Sequence, residues 1–448
     1  MSKEFFVVED CGRFALYAPR KGFLMEIDEE EKNRLGSLIN SSDFSIEKLL
    51  IFFPEIDREH LINENVWQDE FAGDDGEFYP NSAVLFPTFD CHLRCIYCYS
   101  KAGEQKINMD YSVAIATIDL IVDNARSRQK NTCSLSFHGG GEPTWNWSIF
   151  QTSVNYFQKK GRENKLKVEV NLATNGMLSD QKIDWIADHM KTVQVSLDGM
   201  EDIQNFQRPT AGGYGSFNAV FHTINRFLKK GVSIVVHSVI TEKYINRISD
   251  IVRFLATNFP CTTLHLEPAY CCGRGLSAGQ QFPSHKLFVQ GFSKALEIAK
   301  QFNVELMYSG ASPRLAELHK NFCGVYNPNF VITPTGLVTA CHEVADPTHP
   351  LADYFIYGYF DHLNNQFVFD QQKIKRLRKF GNDVNIICGE CFARFYCAGD
   401  CLAKILNSKG ERSTPILNPR CKVNQELMRY FIFSKLQKAP KRKTNEET

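Results

Sequence analysis

The chain lacks a net charge: 51 Lys and Arg are matched by 51 Asp and Glu. No overall field therefore argues for nucleic acid or an anionic membrane as a partner. Long apolar runs are also missing, and nothing approaches the roughly 20 apolar residues that span a bilayer. The opening MSKEFFVVED has no apolar core of a secretory signal. These absences predict a cytoplasmic protein with no nucleic-acid and no membrane partner, in a compartment that keeps thiols reduced. The 15 cysteines then read as metal ligands or catalytic groups, not as a disulfide framework. At 448 residues the chain exceeds one ordinary core and predicts two or three domains.

Residues 1–75 open with three short apolar stretches, EFFVV, RFALYA and GFLMEI, separated by the turn chemistry DCG and PRKG. Two hairpins are predicted there, followed by helices over DEEEKNRLGSLI, SIEKLLIFF and REHLINENVW. An acidic, Gly-containing linker (69–81) leads into residues 82–305, where strands and helices alternate. The strand candidates are 82–89, 133–139, 167–174, 192–199, 232–240 and 262–269. Near-continuous apolar strands between amphipathic helices imply an α/β fold with a parallel sheet. Six strands cannot close an eight-stranded barrel, so an open partial (β/α)6 barrel is expected, with its chemistry at the strand C-terminal ends. Residues 306–430 are dense in cysteine and turn residues and short of periodicity, a region expected to fold around metal more than around an apolar core. The tail 435–448 is charged and patternless, and is expected to be disordered.

After the first barrel strand, DCHLRCIYCYS places Cys91, Cys95 and Cys98 in a C-x3-C-x2-C loop. Three thiolates from one loop suit a cubane [4Fe–4S] cluster and leave one iron without a protein ligand. A closed zinc site would want a fourth ligand. This loop, directly after a barrel strand, resembles the signature of radical S-adenosylmethionine (SAM) enzymes. The resemblance implies that SAM chelates the open iron and is cleaved reductively. It also implies that Tyr97 lies near the adenine. HGGGEPT (138–144) resembles the family's Gly-Gly-Glu-Pro motif. Gly140 and Gly141 would give close backbone approach there, and Glu142 would accept from the SAM amino group. Asn175 in TNG, Ser196 in VSLDG and Arg208 would hold the ribose and carboxylate. The His-Asp usual before that Arg is replaced by NFQR.

The C-terminal order Cys323, Cys341, Cys388, Cys391, Cys397, Cys401, Cys421 is similar to the SPASM extension of radical SAM peptide-modifying enzymes. It implies two auxiliary [4Fe–4S] clusters, three in all. Cys323, Cys341 and Cys401 would bind the nearer auxiliary cluster; Cys388, Cys391, Cys397 and Cys421 would bind the farther one. The upstream cysteine that many members add to the nearer cluster is missing from ASPRLAELHKNF. This leaves an open iron, or a ligand borrowed from Glu317, His319 or a remote thiol, with Cys271 and Cys272 as the remote candidates. Those two thiols and Glu267, all near the end of the sixth strand, are the candidate catalytic residues.

The N-terminal strands and helices resemble the winged-helix, PqqD-like recognition element of ribosomal peptide maturases. An extended leader would add a strand to an exposed edge, beside a groove lined by Leu35 and Leu38. The implied function is a maturase that abstracts hydrogen from a ribosomally made precursor peptide and installs a thioether or carbon–carbon cross-link. Its reductant would be flavodoxin or ferredoxin. The alternative is an anaerobic sulfatase-maturing enzyme forming formylglycine.

Overall fold

The computed structural model describes residues 4–39, 45–54, 56, 77–260, 262–406 and 419–437. The helix expected over REHLINENVW, most of the linker and nearly all of the tail lie outside that set.

Strands β1 (Phe6–Asp10), β2 (Arg13–Ala18) and β3 (Phe23–Ile27) form an antiparallel sheet in that order. Cys11 and Gly12, at φ +48° and +77°, make the left-handed two-residue turn that matches strand twist. A helix over Glu29–Ile39 follows. Asp28 Oδ1 accepts from the Glu31 amide at 2.7 Å, and Glu31 Oε2 accepts from the Asp28 amide at 2.9 Å. This reciprocal box satisfies two donors that a helix start would leave orphaned. The helix Ile46–Phe52 is capped by Ser45 Oγ.

Alternation splits the sheet's side chains between two cores. Phe14, Leu16 and Ala18 pack with Ile27, Leu35, Leu49 and Phe53 in a small local core. Phe6, Val8, Ala15 and Tyr17 join the main core, where Phe6 meets Phe395 edge-on at 6.3 Å. The N-terminal unit is therefore not separate in its packing. Leu35, expected to line a groove, is 1% exposed and belongs to the local core.

The six predicted barrel strands are all present: β4 (Ser82–Leu85), β5 (Thr132–Phe137), β6 (Lys167–Thr174), β7 (Thr192–Ser196), β8 (Ser233–Ile240) and β9 (Thr263–Pro268). Each pairs in parallel with the next. Two short parallel strands were not foreseen, β10 (Glu305–Met307) beside β9 and β11 (Val331–Ile332) beside β4. Antiparallel β12 (Leu337–Thr339), β13 (Ile356–Asp361) and β14 (Gln366–Phe369) complete one open eleven-stranded sheet, ordered β10-β9-β8-β7-β6-β5-β4-β11-β12-β13-β14. In β8 the burial alternates: Ile234, Val236 and Ile240 are buried, while Val235, His237 and Val239 are half-buried. Helices such as Trp147–Glu163 bury one stripe, here Phe150, Val154 and Phe157, each side chain worth about 1.5–3 kcal/mol.

The cysteine-rich region has an apolar core after all. Phe78 meets Tyr357 at 5.5 Å and Phe369 at 5.3 Å, both edge-on, and Phe330 packs on the same rings. The two- and three-residue strands β11 and β12 are too short to show periodicity in sequence.

Candidate active site

The loop that follows β4 is held by main-chain contacts that its sulfurs do not supply. The Arg94 amide donates to Pro209 O at 2.7 Å and the Ile96 amide to Gln207 O at 3.0 Å. The Arg94 guanidinium staples Cys91 O and Gly103 O at 2.8 and 2.9 Å. Arg274, 170 residues beyond Glu104, donates to Cys95 O and Ala102 O at 3.0 and 2.9 Å and to Glu104 at 3.1 Å. Cys91, Cys95 and Cys98 pack in one small cluster with Leu93, Ala102 and Met177.

These thiols fit an iron–sulfur cluster. The Leu93 amide and the Asn175 side-chain amide point at Cys91 Sγ, and the Ala102 amide points at Cys98 Sγ, each at 3.4 Å. Burial, reinforced by the charges of Glu142 and Cys95, pushes the Cys91 thiol up to about 12. Burial does the same to Cys95, against the pull of Arg208. Desolvated thiols such as Cys91 and Cys95 need a bound cation to ionise, which a cluster provides. His92 is not among the donors: its ring stands edge-on to Trp145 at 4.5 Å.

The turn after β5 meets this loop closely. A Cβ on Gly141 would lie 2.1 Å from Asp90 O, and Gly140, at φ +65°, would press on the Phe86 ring. The Glu142 carboxylate is buried and accepts from Thr144 Oγ1 at 2.7 Å, Thr174 Oγ1 at 2.8 Å and the Asn175 amide at 2.7 Å. It ties together the ends of β5 and β6: Oε1 accepts from the two Thr hydroxyls, while Oε2 accepts from the Asn175 amide. Asn175 likewise has its side-chain amide turned to Cys91 and its oxygen accepting from the Met177 amide at 2.9 Å.

Tyr97 and Arg208 come together on Asp198, a residue that no spacing in the sequence singles out. Asp198 is fully buried; it accepts from Tyr97 Oη, from Gln207 Nε2 at 2.7 Å and from the Val239 amide at 3.0 Å. The Arg208 guanidinium lies 5.3 Å from the Tyr97 ring centroid and its Nε stands 3.1 Å from Asp198 Oδ2. That nitrogen is buried and paired with Asp198 by charge without the alignment of a hydrogen bond. Burial opposes the charge on Arg208, but Asp198 and Tyr97 hold its pKa well above the usual value. Ser196 ends β7 half-buried, opposite His237 in β8. Burial pushes His237 and His342 down to about 3, leaving neutral imidazoles in the interior.

Among the described residues no set of three or more His, Cys, Asp or Glu converges on a single-ion position. The C-terminal thiols are grouped instead by neighbourhood. Cys341 feels the charges of Cys401 and Cys323. Cys397 and Cys421 each feel those of Cys388 and Cys391. The turn that divides them, Ala398–Gly399–Asp400, has φ of +43°, +80° and +63°.

A cavity of about 660 Å³ lies where the cysteine loop, the segment after β9 and the C-terminal region meet. Its walls include Tyr99, Cys271, Cys272, Glu343, His349 and Lys404. Cys271 Sγ donates to Gln280 O at 2.6 Å; Cys272 is electrostatically close to Glu343, Cys401 and Cys98. Glu267 does not line the cavity. Its carboxylate is taken by Arg420 at 2.8 Å, His265 at 2.9 Å and the Ser309 amide at 2.8 Å. The geometry makes it a pin between β9 and the last helix, not a group facing substrate. Glu317 sits at the surface, 3.4 Å from Arg314.

Residues 85–255 match the Radical SAM superfamily. The cysteine-type anaerobic sulfatase-maturating enzyme of Clostridium perfringens is 25% identical over 179 residues, 39% of this chain and 48% of that protein. The chain thus spans about half the length of the first curated relatives it matches. The serine-type anaerobic sulfatase-maturating enzyme of Klebsiella aerogenes is 24% identical over 340 residues, 71% of this chain and 78% of that protein. Among solved structures, native anSMEcpe with bound AdoMet aligns over 80% of this chain and 98% of that one, at 19% identity and a TM-score of 0.62, a likeness of fold. No helix among the described residues is long and apolar enough to cross a membrane. The family match falls on the segment that carries the cysteine loop, the glycine turn and Arg208: the chain contains a radical SAM domain, whose cofactors are S-adenosylmethionine and a [4Fe–4S] cluster.

Proposed function

We propose that the chain is a radical SAM maturase that cross-links a ribosomally made precursor peptide and carries two auxiliary clusters besides the SAM-binding one. The bound SAM and cluster supply the hydrogen-abstracting 5′-deoxyadenosyl radical. The chain's own residues do the rest. Arg208 offers a buried cation for a carboxylate, Asp198 fixes Tyr97 and Arg208 in place, and the cavity beside Tyr99 admits the substrate segment.

One observation carries the maturase reading. A three-stranded sheet precedes the cysteine loop, and no strand among the described residues pairs with the outer edge of β3. That edge can take an extended peptide as a further strand, main chain to main chain. The sheet is also seated on the cysteine-rich region through Phe6 and Phe395, which would carry a bound leader toward the cavity. The sulfatase-maturing reading has a specific support of its own, the similarity to the two sulfatase-maturating enzymes.

The reductively reconstituted enzyme should be given SAM and, in parallel, a short peptide encoded by the neighbouring reading frame or a cysteine- or serine-bearing sulfatase-type peptide. The maturase reading expects the first to lose two hydrogens. It also expects amide hydrogen exchange across Phe23–Ile27 to slow when that peptide binds. Conversion of the sulfatase-type peptide to an aldehyde, with no protection of β3 by either peptide, would establish the alternative.

A further inference from the structure

The two sides of the barrel strands differ in what they meet. Leu135, Leu172, Val195, Val236 and Leu266 pack into the main core with the helices. Their strand neighbours Ser136, Asn171, Ser196, His237 and His265 point to the opposite face and are half-buried or exposed. That face is polar and open. On it Ser196 pairs with His237, and His237 with His265, in register, and the two rings meet edge-on at 5.0 Å. The chain runs on from β9 into Tyr270, Cys271 and Cys272 of the cavity wall. His265 Nε2 bonds Glu267 Oε1 at 2.9 Å. The Ser309 amide and the Arg420 guanidinium donate to the same carboxylate at 2.8 Å each. A carboxylate only accepts, so the ring proton sits on Nε2 and Nδ1 keeps its lone pair. No described residue hydrogen-bonds Nδ1, and the side chain is 24% exposed.

An imidazole fixed by a carboxylate on one nitrogen and free on the other is a ready proton acceptor. We propose that His265 is the proton acceptor of the peptide oxidation, held in tautomer and orientation by Glu267. This rests on the reading of the chain as a radical enzyme that oxidises a peptide, and it holds for either substrate class. Cross-link and aldehyde formation both remove two hydrogens. One leaves a C–H bond as an atom and goes to the 5′-deoxyadenosyl radical. The other leaves a thiol, a hydroxyl or a second carbon as a proton and goes to His265 Nδ1. The remaining electron goes to an oxidised auxiliary iron–sulfur cluster as the new C–S, C–C, C=O or C=S bond forms. The His237 ring alongside is neutral, pushed down to about 3 chiefly by burial, so it does not repel the proton that His265 takes up.

The test uses the full chain with all its clusters and the deuterated peptide encoded by the neighbouring reading frame, with a deuterated sulfatase-type peptide in parallel. His265→Ala should still pass deuterium from peptide to 5′-deoxyadenosine, yet form product about 10²–10⁴-fold more slowly. Added imidazole should restore part of that rate, a rescue that a merely structural histidine would not show. His265→Gln takes its place if the alanine variant loads less iron, and should show the same split between deuterium transfer and product. Product at the parent's rate would overturn the inference. So would joint loss of deuterium transfer and product with iron content kept. NMR of the parent with labelled histidine ring nitrogens needs no turnover. The resonances that vanish in the His265 variant should show Nε2 protonated and Nδ1 bare, and a proton on Nδ1 would overturn the inference. A parent that oxidises neither peptide overturns the proposed function, and this inference with it.

Discussion

Replacing Cys91, Cys95 and Cys98 together by alanine should reduce 5′-deoxyadenosine formation from SAM to background while leaving the C-terminal region loaded with iron. The loop does not depend on its sulfurs for shape. Its backbone is bound by Pro209 O and Gln207 O, stapled by Arg94 and braced by Arg274. Alanine removes the ligands and keeps those contacts, so the loss is one of chemistry and not of fold. Iron should fall from about twelve to about eight per chain if all three clusters are cubanes. Circular dichroism should hardly change. Persistent 5′-deoxyadenosine in the triple variant would mean that SAM is cleaved elsewhere. A fall to near zero iron would mean that the C-terminal thiols carry no clusters.

What the sequence made legible follows from the range of each interaction. The six barrel strands announce themselves by local apolar pattern, and the cysteine loop by its spacing. Both are short-range signals, and both are where the reading placed them. Tyr97 and Arg208 do come together, on Asp198. Their partners were not legible. Arg274 braces a loop some 170 residues earlier, and no local pattern encodes that pairing. Asp198 stands in plain view in VSLDG, but its role depends on Tyr97, Gln207 and Arg208 converging on it. The partners of Glu142 and Glu267 were equally hidden. A carboxylate at a strand end looks available in sequence, whereas burial forces it to find donors, and each has three or more. Leu35 was misplaced for a related reason: helical spacing tells which face is apolar, not whether a sheet already covers it.

Arg420→Met should be the most damaging single substitution in the chain, lowering stability by about 3–5 kcal/mol. Arg420 is 3% exposed. Its guanidinium joins Asp400 at 2.9 and 3.0 Å, Glu267 at 2.8 Å and Ser309 Oγ at 2.9 Å. Methionine would fill much of the volume and leave two buried carboxylates without their cation. Asp400 matters further because it closes the left-handed turn between Cys397 and Cys401. Two non-glycine residues there hold positive φ, at a cost of order 1–3 kcal/mol each, and Arg420 helps to keep them so. Burial alone would raise the Glu267 carboxyl, but Arg420, His265 and the Ser309 amide hold it well below the ordinary carboxylate range. A depressed folded pKa contributes stability above the unfolded value, about 4.3 for Glu, and loses it as pH falls toward the folded one. Without Arg420, burial would raise the Glu267 carboxyl above its unfolded value, so the penalty of Arg420→Met should be largest near pH 7 and shrink as pH falls toward about 4.3. Arg420→Lys should recover part of it, since the charge remains but the fork that spans both acids is lost. The measurement is the urea midpoint of reconstituted protein at pH 7 and pH 5, with iron content read alongside. An unfolding free energy for Arg420→Met within about 0.5 kcal/mol of the parent, with both auxiliary thiol sets still loaded, would show that the barrel end and the last helix are held together without this ion network.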